Sequence, residues 1–252
     1  MNDQPSAAPR DCPACGSARV RLTFAVDGER LLRCHACRSL FLERLPGSEE
    51  LAGLYADERY FVNPERERTG FVGYKDYLSD RDEIEVKFDE VLVELEGHGD
   101  GSAGRLLDVG AGPGFLVSAA ARRGWRAEGL DLNPWAARYA REEVGADVEQ
   151  GSLSTAEHPA GAYDAVTMMD FIEHLPDPGA ELAEAARITR PGGVLAVLTP
   201  DAGSLTTRLL RSRWPELRRG RAEHVVLFSA DGLSSLLGRN GWRTLGWRWI
   251  GK

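Results

Sequence analysis

From Arg105 onward, short β-rich runs alternate with stretches of helical periodicity, and no other feature limits the possible folds of this chain so strongly. RLLDV is followed by a helix over about 114 to 123, and RAEGLDL by one over about 134 to 143. Then come ADVEQ, YDAVTMM, a helix over about 178 to 188, and GVLAVLT. Strands separated by helices need crossover connections. The pattern therefore predicts an α/β fold with a doubly wound, mostly parallel sheet and helices on both faces. A helix in DGLSSLLGRNG and a final strand in WRTLGWRWI are expected after it.

The first 37 residues hold all four cysteines, as CPAC (Cys12, Cys15) and CHAC (Cys34, Cys37), with 18 residues between the pairs. Each Cys-x-x-Cys turn supplies two thiolates, and a hairpin of VRLTFAV and ERLLRC around Asp27-Gly28 brings the turns together. That spacing predicts a zinc ribbon. Four thiolates fill a tetrahedral shell and leave no place for water, so the ion would be structural. Two disulfides are the bland alternative, disfavoured in a reducing cytoplasm; a redox Cys-x-x-Cys would need one pair, not two. His35, inside the second knuckle, reads as solvated or as a neighbour of the ligands.

Between ribbon and alternating region, residues 46 to 61 and 74 to 96 carry apolar positions at helical spacing, with Ile84, Phe88, Val91, Leu92 and Leu95 on one face. GHGDGSAG (97 to 104) is a glycine-rich break. Three regions follow: 1–45 zinc ribbon, 46–100 helical cap, 101–252 ligand-binding α/β domain. The opening MNDQPSAAPR has no signal-peptide core, and no run reaches the roughly 18 apolar residues of a membrane helix, so a cytoplasmic protein is expected. A net charge of −8 argues against binding nucleic acid through the whole surface.

In an open parallel sheet, ligands bind beyond the carboxyl ends of the strands where strand order reverses. There LLDVGAGPGF puts Gly110, Gly112 and Gly114 directly after the first strand. Glycines admit unusual backbone angles and let a ligand approach the main chain. The G-x-G-x-G spacing is neither the dinucleotide fingerprint nor a Walker loop, which favours a nucleoside ligand without a pyrophosphate. Asp131, 23 residues after Asp108, stands at the end of the second strand, where a carboxylate can accept both ribose hydroxyls. Taken singly, such a loop is common in α/β proteins, and Asp131 could merely cap the helix starting at Asn133-Pro134.

Together, DVGAGPG, GLDLNP, YDAVTMMDFIEHLPDP, RPGGVLAVLTPD and EHVVLFS resemble the class I S-adenosylmethionine-dependent methyltransferases over about residues 105 to 250. The resemblance implies a Rossmann-like methyltransferase sheet. It implies that the three glycines pass the methionine part of the cofactor, with Asp108 orienting the loop or the ammonium group. Asp131 would hold the ribose, Leu132 would lie against the adenine, and Gly151, Ser152 and Leu153 would wall the adenine pocket. Met169 and Asp170 would flank the ammonium and sulfonium. EHVVLFS, the ribbon and the tyrosine-bearing YADERYF and GYKDY are also similar to methyltransferases of nucleotide-linked deoxysugars in natural-product pathways. That implies Tyr60, Tyr74 or Tyr77 near cofactor or acceptor, although those enzymes typically continue into a further C-terminal domain.

Methyl transfer from a sulfonium is an in-line displacement that often needs a base. His224, with Glu223 beside it, is the first candidate, and His174 in FIEHLPD the second; an ordinary helix-end histidine is the plain reading of His174. RLLRSRWPELRRGR sets Arg208, Arg211, Arg213, Arg218, Arg219 and Arg221 around Trp214. Arginine forks suit a phosphate- or acid-bearing small-molecule acceptor, whereas a solvated helix with Trp214 packed beneath is the plain reading. After TLGWRWIGK nothing remains for the superfamily's seventh strand, which leaves a short sheet, a register one strand off, or an edge closed by a homodimer partner. The expected function is methyl transfer to an oxygen or carbon of a small molecule. Alternatives are an RNA or protein methyltransferase gripping its substrate with the ribbon, and a non-catalytic cofactor-binding scaffold.

Overall fold

A computed structural model describes residues 11–26, 28–63, 74, 76–98, 103–214, 217 and 224–250. The ribbon hairpin forms as expected, from β1 (Val20–Val26) and β2 (Glu29–Cys34), with Gly28 at φ +91° in the turn; Asp27 lies outside the described residues. A third strand, β3 (Leu40–Leu42), extends this antiparallel sheet. Helices α1 (Ser48–Tyr55) and α2 (Arg81–His98) follow, and Phe88, Val91, Leu92 and Leu95 are the buried face of α2. The expected helix over 74 to 96 thus starts later, and residues 99–102 of the glycine break lie outside the described residues.

The α/β region runs β4 (Arg105–Val109), α3 (Phe115–Arg122), β5 (Arg126–Asp131), α4 (Pro134–Tyr139), β6 (Val148–Gln150), β7 (Tyr163–Met169), α5 (Pro178–Ile188), β8 (Thr189–Leu198), α6 (Leu205–Leu210). The sheet order is β6-β5-β4-β7-β8 with every pairing parallel. Strand order reverses at β4, so the switch point falls beside the glycine loop. Leu106, Leu107, Val166 and Met168 are completely buried, as a sheet covered on both faces requires. Between Thr189 and Val194, β8 has three more residues than its partner segment of β7, and Gly192 at φ +80° turns the chain there. Pro191-Gly192-Gly193, expected as a tight turn entering the fifth strand, form a bulge inside β8 instead.

One expectation about the sheet is corrected, and one short strand joins the other sheet. The apolar strand after Glu223-His224 forms as β9 (Val226–Leu227), which pairs antiparallel with β3 and belongs to the ribbon sheet. The open edge of β3 satisfies its backbone, and Leu42 N donates to Val225 O at 3.0 Å. WRTLGWRWI forms no strand. After α7 (Ala230–Arg239), residues 242–250 have no ladder partner among the described residues, and most are exposed. Trp242 Nε1 donates to Leu182 O (3.0 Å), and Arg248 pairs with Glu94 of α2. No helix among the described residues is long and apolar enough to cross a membrane.

Candidate active site and metal centre

The four cysteine sulfurs lie within 4.8 Å of one another, with Cys12–Cys37 at 3.7 Å and Cys15–Cys34 at 3.5 Å. A tetrahedron with Zn–S near 2.3 Å has edges of about 3.8 Å. No disulfide links them. Hydrogen bonds from Cys12 and Ser39 bring Cys37 down to about 5, while the thiol of Cys12 is driven up by its bond to Cys37 and by burial. Four sulfurs at this spacing suit a cation that takes thiolates. The knuckles match: Gly16 N bonds Cys12 O and Arg38 N bonds Cys34 O, and both Gly16 and Arg38 have φ +72°. His35 is exposed.

A cavity of ≈ 1400 Å³ opens at the carboxyl ends of the parallel strands. It is lined by Gly110 after β4, Asp131 at the end of β5, Asp170 after β7 and Thr199 after β8. Its volume exceeds the roughly 300–1,000 Å³ of an ordinary small-molecule pocket. At one end, Asp131 Oδ2 accepts from Gly112 N (2.7 Å) and Oδ1 from Asn133 N (2.8 Å). The cap of α4 is Asn133, whose Oδ1 accepts from Trp135 N and Ala136 N, so capping does not account for Asp131. Loss of water around its carboxylate raises Asp131 to about 6, against the pull of those two amides. Leu132 lines the cavity and is 40% exposed, and Ser152 lines the same end.

The three glycines divide the work. A Cβ on Gly110 would strike the Phe171 ring, and one on Gly112 would come within 3.1 Å of Phe61; both positions line the cavity. Gly114 does not line it. A Cβ there would meet Ala140 and Ala146 at 2.8 Å, so this glycine exists for close packing of α3 against its neighbours. Asp108 is buried behind the loop, accepts from Thr167 Oγ1 at 2.6 Å, and is raised to about 7 by burial and by the charge of Asp131. It orients β4 and does not reach the cavity. Leu153, expected in the adenine wall, is fully buried in the core; Gly151 and Ser154 line the cavity on either side of it in sequence.

Met169 and Asp170 sit at the centre. Asp170 is exposed and held at φ +46°, an uncommon conformation for a residue with a side chain, fixed by its amide bonding to Leu198 O at 2.8 Å. Strain of this kind concentrates at functional sites. Tyr60, Tyr74 and Tyr77 join Tyr55 and Phe61 in an aromatic wall, with Tyr74–Tyr77 centroids 4.7 Å apart. Loss of water, then the charges of Asp170, Asp108 and Asp131, raises the Tyr77 hydroxyl.

The far end holds both candidate bases. His174 and His224 have ring centroids 5.0 Å apart, and Tyr55 meets His174 edge-on. Glu173, which the sequence reading passed over, is buried beside them and accepts from Thr199 Oγ1 at 2.9 Å. Its carbonyl accepts from Val225 N (2.8 Å), which ties His224 to the 3-10 turn Ile172–His174. Glu173, His174 and His224 each offer a ligand atom within 4.8 Å, a set that could hold a cation. Glu223 lies outside the described residues, as do Arg218, Arg219 and Arg221. Trp214 lines this end while packing on Leu31, Leu40 and Leu42 of the ribbon.

Comparison with known proteins fits this layout. A family model described as a methyltransferase domain matches residues 79–245. The ubiquinone biosynthesis O-methyltransferase of Xanthomonas axonopodis pv. citri is 38% identical over 120 residues, which cover 45% of this chain and 48% of that enzyme. The enzyme of the same name from Thiobacillus denitrificans is 39% identical over 95 residues, 35% of this chain and 41% of that one. The matches span about half the length of these curated relatives or less. Among solved structures, a SAM-dependent methyltransferase from Archaeoglobus fulgidus superposes with TM-score 0.54 at 20% identity, covering 74% of this chain and 75% of that one. One from Leishmania major gives 0.54 at 17%, covering 79% and 74%. At these identities the likeness is one of fold.

Proposed function

Because the chain belongs to this family of methyltransferase domains, we propose that it transfers a methyl group from S-adenosylmethionine to an oxygen or carbon of a small molecule. The observation that carries this reading is the single cavity that runs from Asp131 and Leu132 to His174 and His224 across the carboxyl ends of β4, β5, β7 and β8. Nucleoside-type and proton-accepting groups thus share one space. In the proposed division, 1–45 is a ribbon, 46–100 a cap and 101–252 the cofactor domain.

When bound, the cofactor supplies an electrophilic methyl carbon on a sulfonium. Asp131 accepts the ribose hydroxyls with the lone pairs that Gly112 and Asn133 leave open, and Leu132 offers an apolar surface to the adenine. Asp170 places a negative charge near the cationic centre, and Met169 and the Tyr60–Tyr74–Tyr77 wall exclude water from it. His224 takes the proton of the acceptor, with His174 and Glu173 holding the imidazole in place. The thiolates of Cys12, Cys15, Cys34 and Cys37 hold zinc, and a second copy pairs with the edge of β8, which has no neighbouring strand among the described residues.

Calorimetric titration with S-adenosylhomocysteine tests the cofactor end: saturable binding is expected, and none would end the proposal. With an acceptor in hand, turnover lost in His224→Gln but cofactor affinity retained is the result expected at the other end.

A further inference from the structure

Asn133 makes more hydrogen bonds than its place at the start of a helix calls for. As the cap of α4, its Oδ1 accepts from Trp135 N (3.0 Å) and Ala136 N (3.1 Å). Serine or aspartate caps a helix as well as asparagine does, because capping needs only a side-chain oxygen. The amide nitrogen is left over. Nδ2 donates to Tyr55 O at 2.7 Å and to Asp57 O at 3.0 Å, which lie 78 and 76 positions earlier in the chain. Among short side chains, only asparagine offers an acceptor to the helix and two donors to those carbonyls at once. The residue is 1% exposed, so these bonds form away from solvent, where leaving one unmade is costly.

The two carbonyls are the root of the aromatic wall. Tyr55 closes α1, and Asp57 caps the 3-10 turn Glu58–Tyr60. The other rings hang from that turn by backbone bonds: Tyr74 N donates to Tyr60 O at 2.7 Å, and Tyr77 N to Phe61 O at 2.9 Å. Tyr55 meets Tyr60 edge-on at 5.1 Å and His174 at 5.6 Å. On its other side, Asn133 N donates to Asp131 Oδ1 at 2.8 Å. Contacts thus run unbroken from Asp131 through Asn133 and Tyr55 to His174. Phe61 also stacks on Trp135, with centroids 6.0 Å apart. Stacked rings can slide, whereas two hydrogen bonds from one amide fix both distance and direction.

We propose that Asn133 is a positioning residue for the histidine end of the cavity. Its amide fixes the aromatic wall and, through Tyr55, the His174 ring to the loop that carries Asp131. The consequence for turnover rests on the methyl-transfer reading; the tie itself does not. With the tie made, wall and nucleoside end move as one body, and an acceptor lying against Tyr55 and His174 keeps its register with the methyl donor. In-line displacement is sensitive to that register, since a shift of about 1 Å costs about a hundredfold in rate.

Asn133→Ser keeps the helix cap and deletes both donors, and Asn133→Asp keeps the cap while turning a carboxylate on the two carbonyls. Both are compared with the parent, as the full chain without ligand, by amide hydrogen exchange and by the imidazole signals in NMR, His174 being identified with His174→Gln. In each variant, exchange at Tyr60, Tyr74 and Tyr77 should quicken at least about tenfold. The His174 signal should move, while the capped amides of Trp135 and Ala136 and those of β4 keep their parent rates. Calorimetry should find S-adenosylhomocysteine affinity within about threefold of the parent, because Gly112 N still holds Asp131. Parent-like exchange along the wall with an unmoved His174 signal makes Asn133 a helix cap and nothing more, which overturns the proposal. Acceleration spread evenly over the wall, β4 and β7 is general destabilisation and overturns it too. If the parent binds no S-adenosylhomocysteine while the variants show the local pattern, the tie stands and the methyl-transfer reading falls.

Discussion

Gly114 and Gly112 stand two residues apart in one loop, and alanine at each should produce opposite defects. At Gly114 (φ +79°) the new Cβ meets the Ala140 and Ala146 methyls at 2.8 Å and Val148 Cγ2 at 3.2 Å. Left-handed backbone costs an L-residue about 1–2 kcal/mol, and overpacking a tight interior costs about 1–3 kcal/mol more. Gly114→Ala should therefore lose about 3 kcal/mol, lowering Tm by roughly 6–12 °C for a domain of this size. Its cofactor affinity, measured where the variant is still folded, should change by no more than about threefold, because the position does not face the cavity. At Gly112 (φ +52°) the Cβ meets only the edge of Phe61, at 3.1 and 3.3 Å, so the stability loss should be about 1–2 kcal/mol. That methyl group, however, enters the cavity wall, and S-adenosylhomocysteine affinity should fall at least about tenfold. Circular dichroism melts and calorimetry on both variants decide the matter. If Gly114→Ala lost binding as severely as Gly112→Ala while keeping its Tm, the division between packing and ligand glycine would be wrong.

The ribbon should contain about one equivalent of zinc, and its removal by a chelator should raise hydrogen exchange at residues 225–229, which β3 and Ser39 hold, while nucleoside binding persists; unchanged exchange there would uncouple metal and site. In the folded chain burial raises Asp131 to about 6 and Asp108 to about 7, whereas the unfolded chain releases both protons near 4. Between about pH 4 and 7 the folded state thus binds more protons, and stability falls as pH rises through that window. Asp108→Asn should flatten this fall in melts from pH 5 to 7, and an unaltered slope would count against the buried carboxyl. His224→Gln should cut kcat by about 10²–10⁴ if the imidazole is the base, with cofactor affinity unchanged; near-normal turnover would remove it from that role.

Much of the glycine-loop end of the cavity was legible because its signals are local. Asp131 follows a strand, Gly110 and Gly112 follow another, and turn chemistry with period-two and helical patterning specifies each from its neighbours in sequence. The ribbon is legible for the same reason: two Cys-x-x-Cys turns and a hairpin are each short-range. At the histidine end, Glu173, Thr199 and Tyr55 carry no motif, since nothing in their own segments records that Thr199 Oγ1 will meet Glu173 Oε2. The identity of the third glycine's neighbours is equally silent in the sequence.

By itself, then, the sequence determined the parallel α/β sheet, its switch-point loop and the four-cysteine cluster. Tertiary structure alone decided that β9 joins the ribbon instead of the main sheet, because a two-residue strand pairs with whichever edge is open beside it. That pairing ties the strand after His224 to the ribbon sheet. It also left residues 242–250 without a ladder partner among the described residues, since alternation of side chains predicts a face but cannot supply the neighbouring strand on which hydrogen bonding depends.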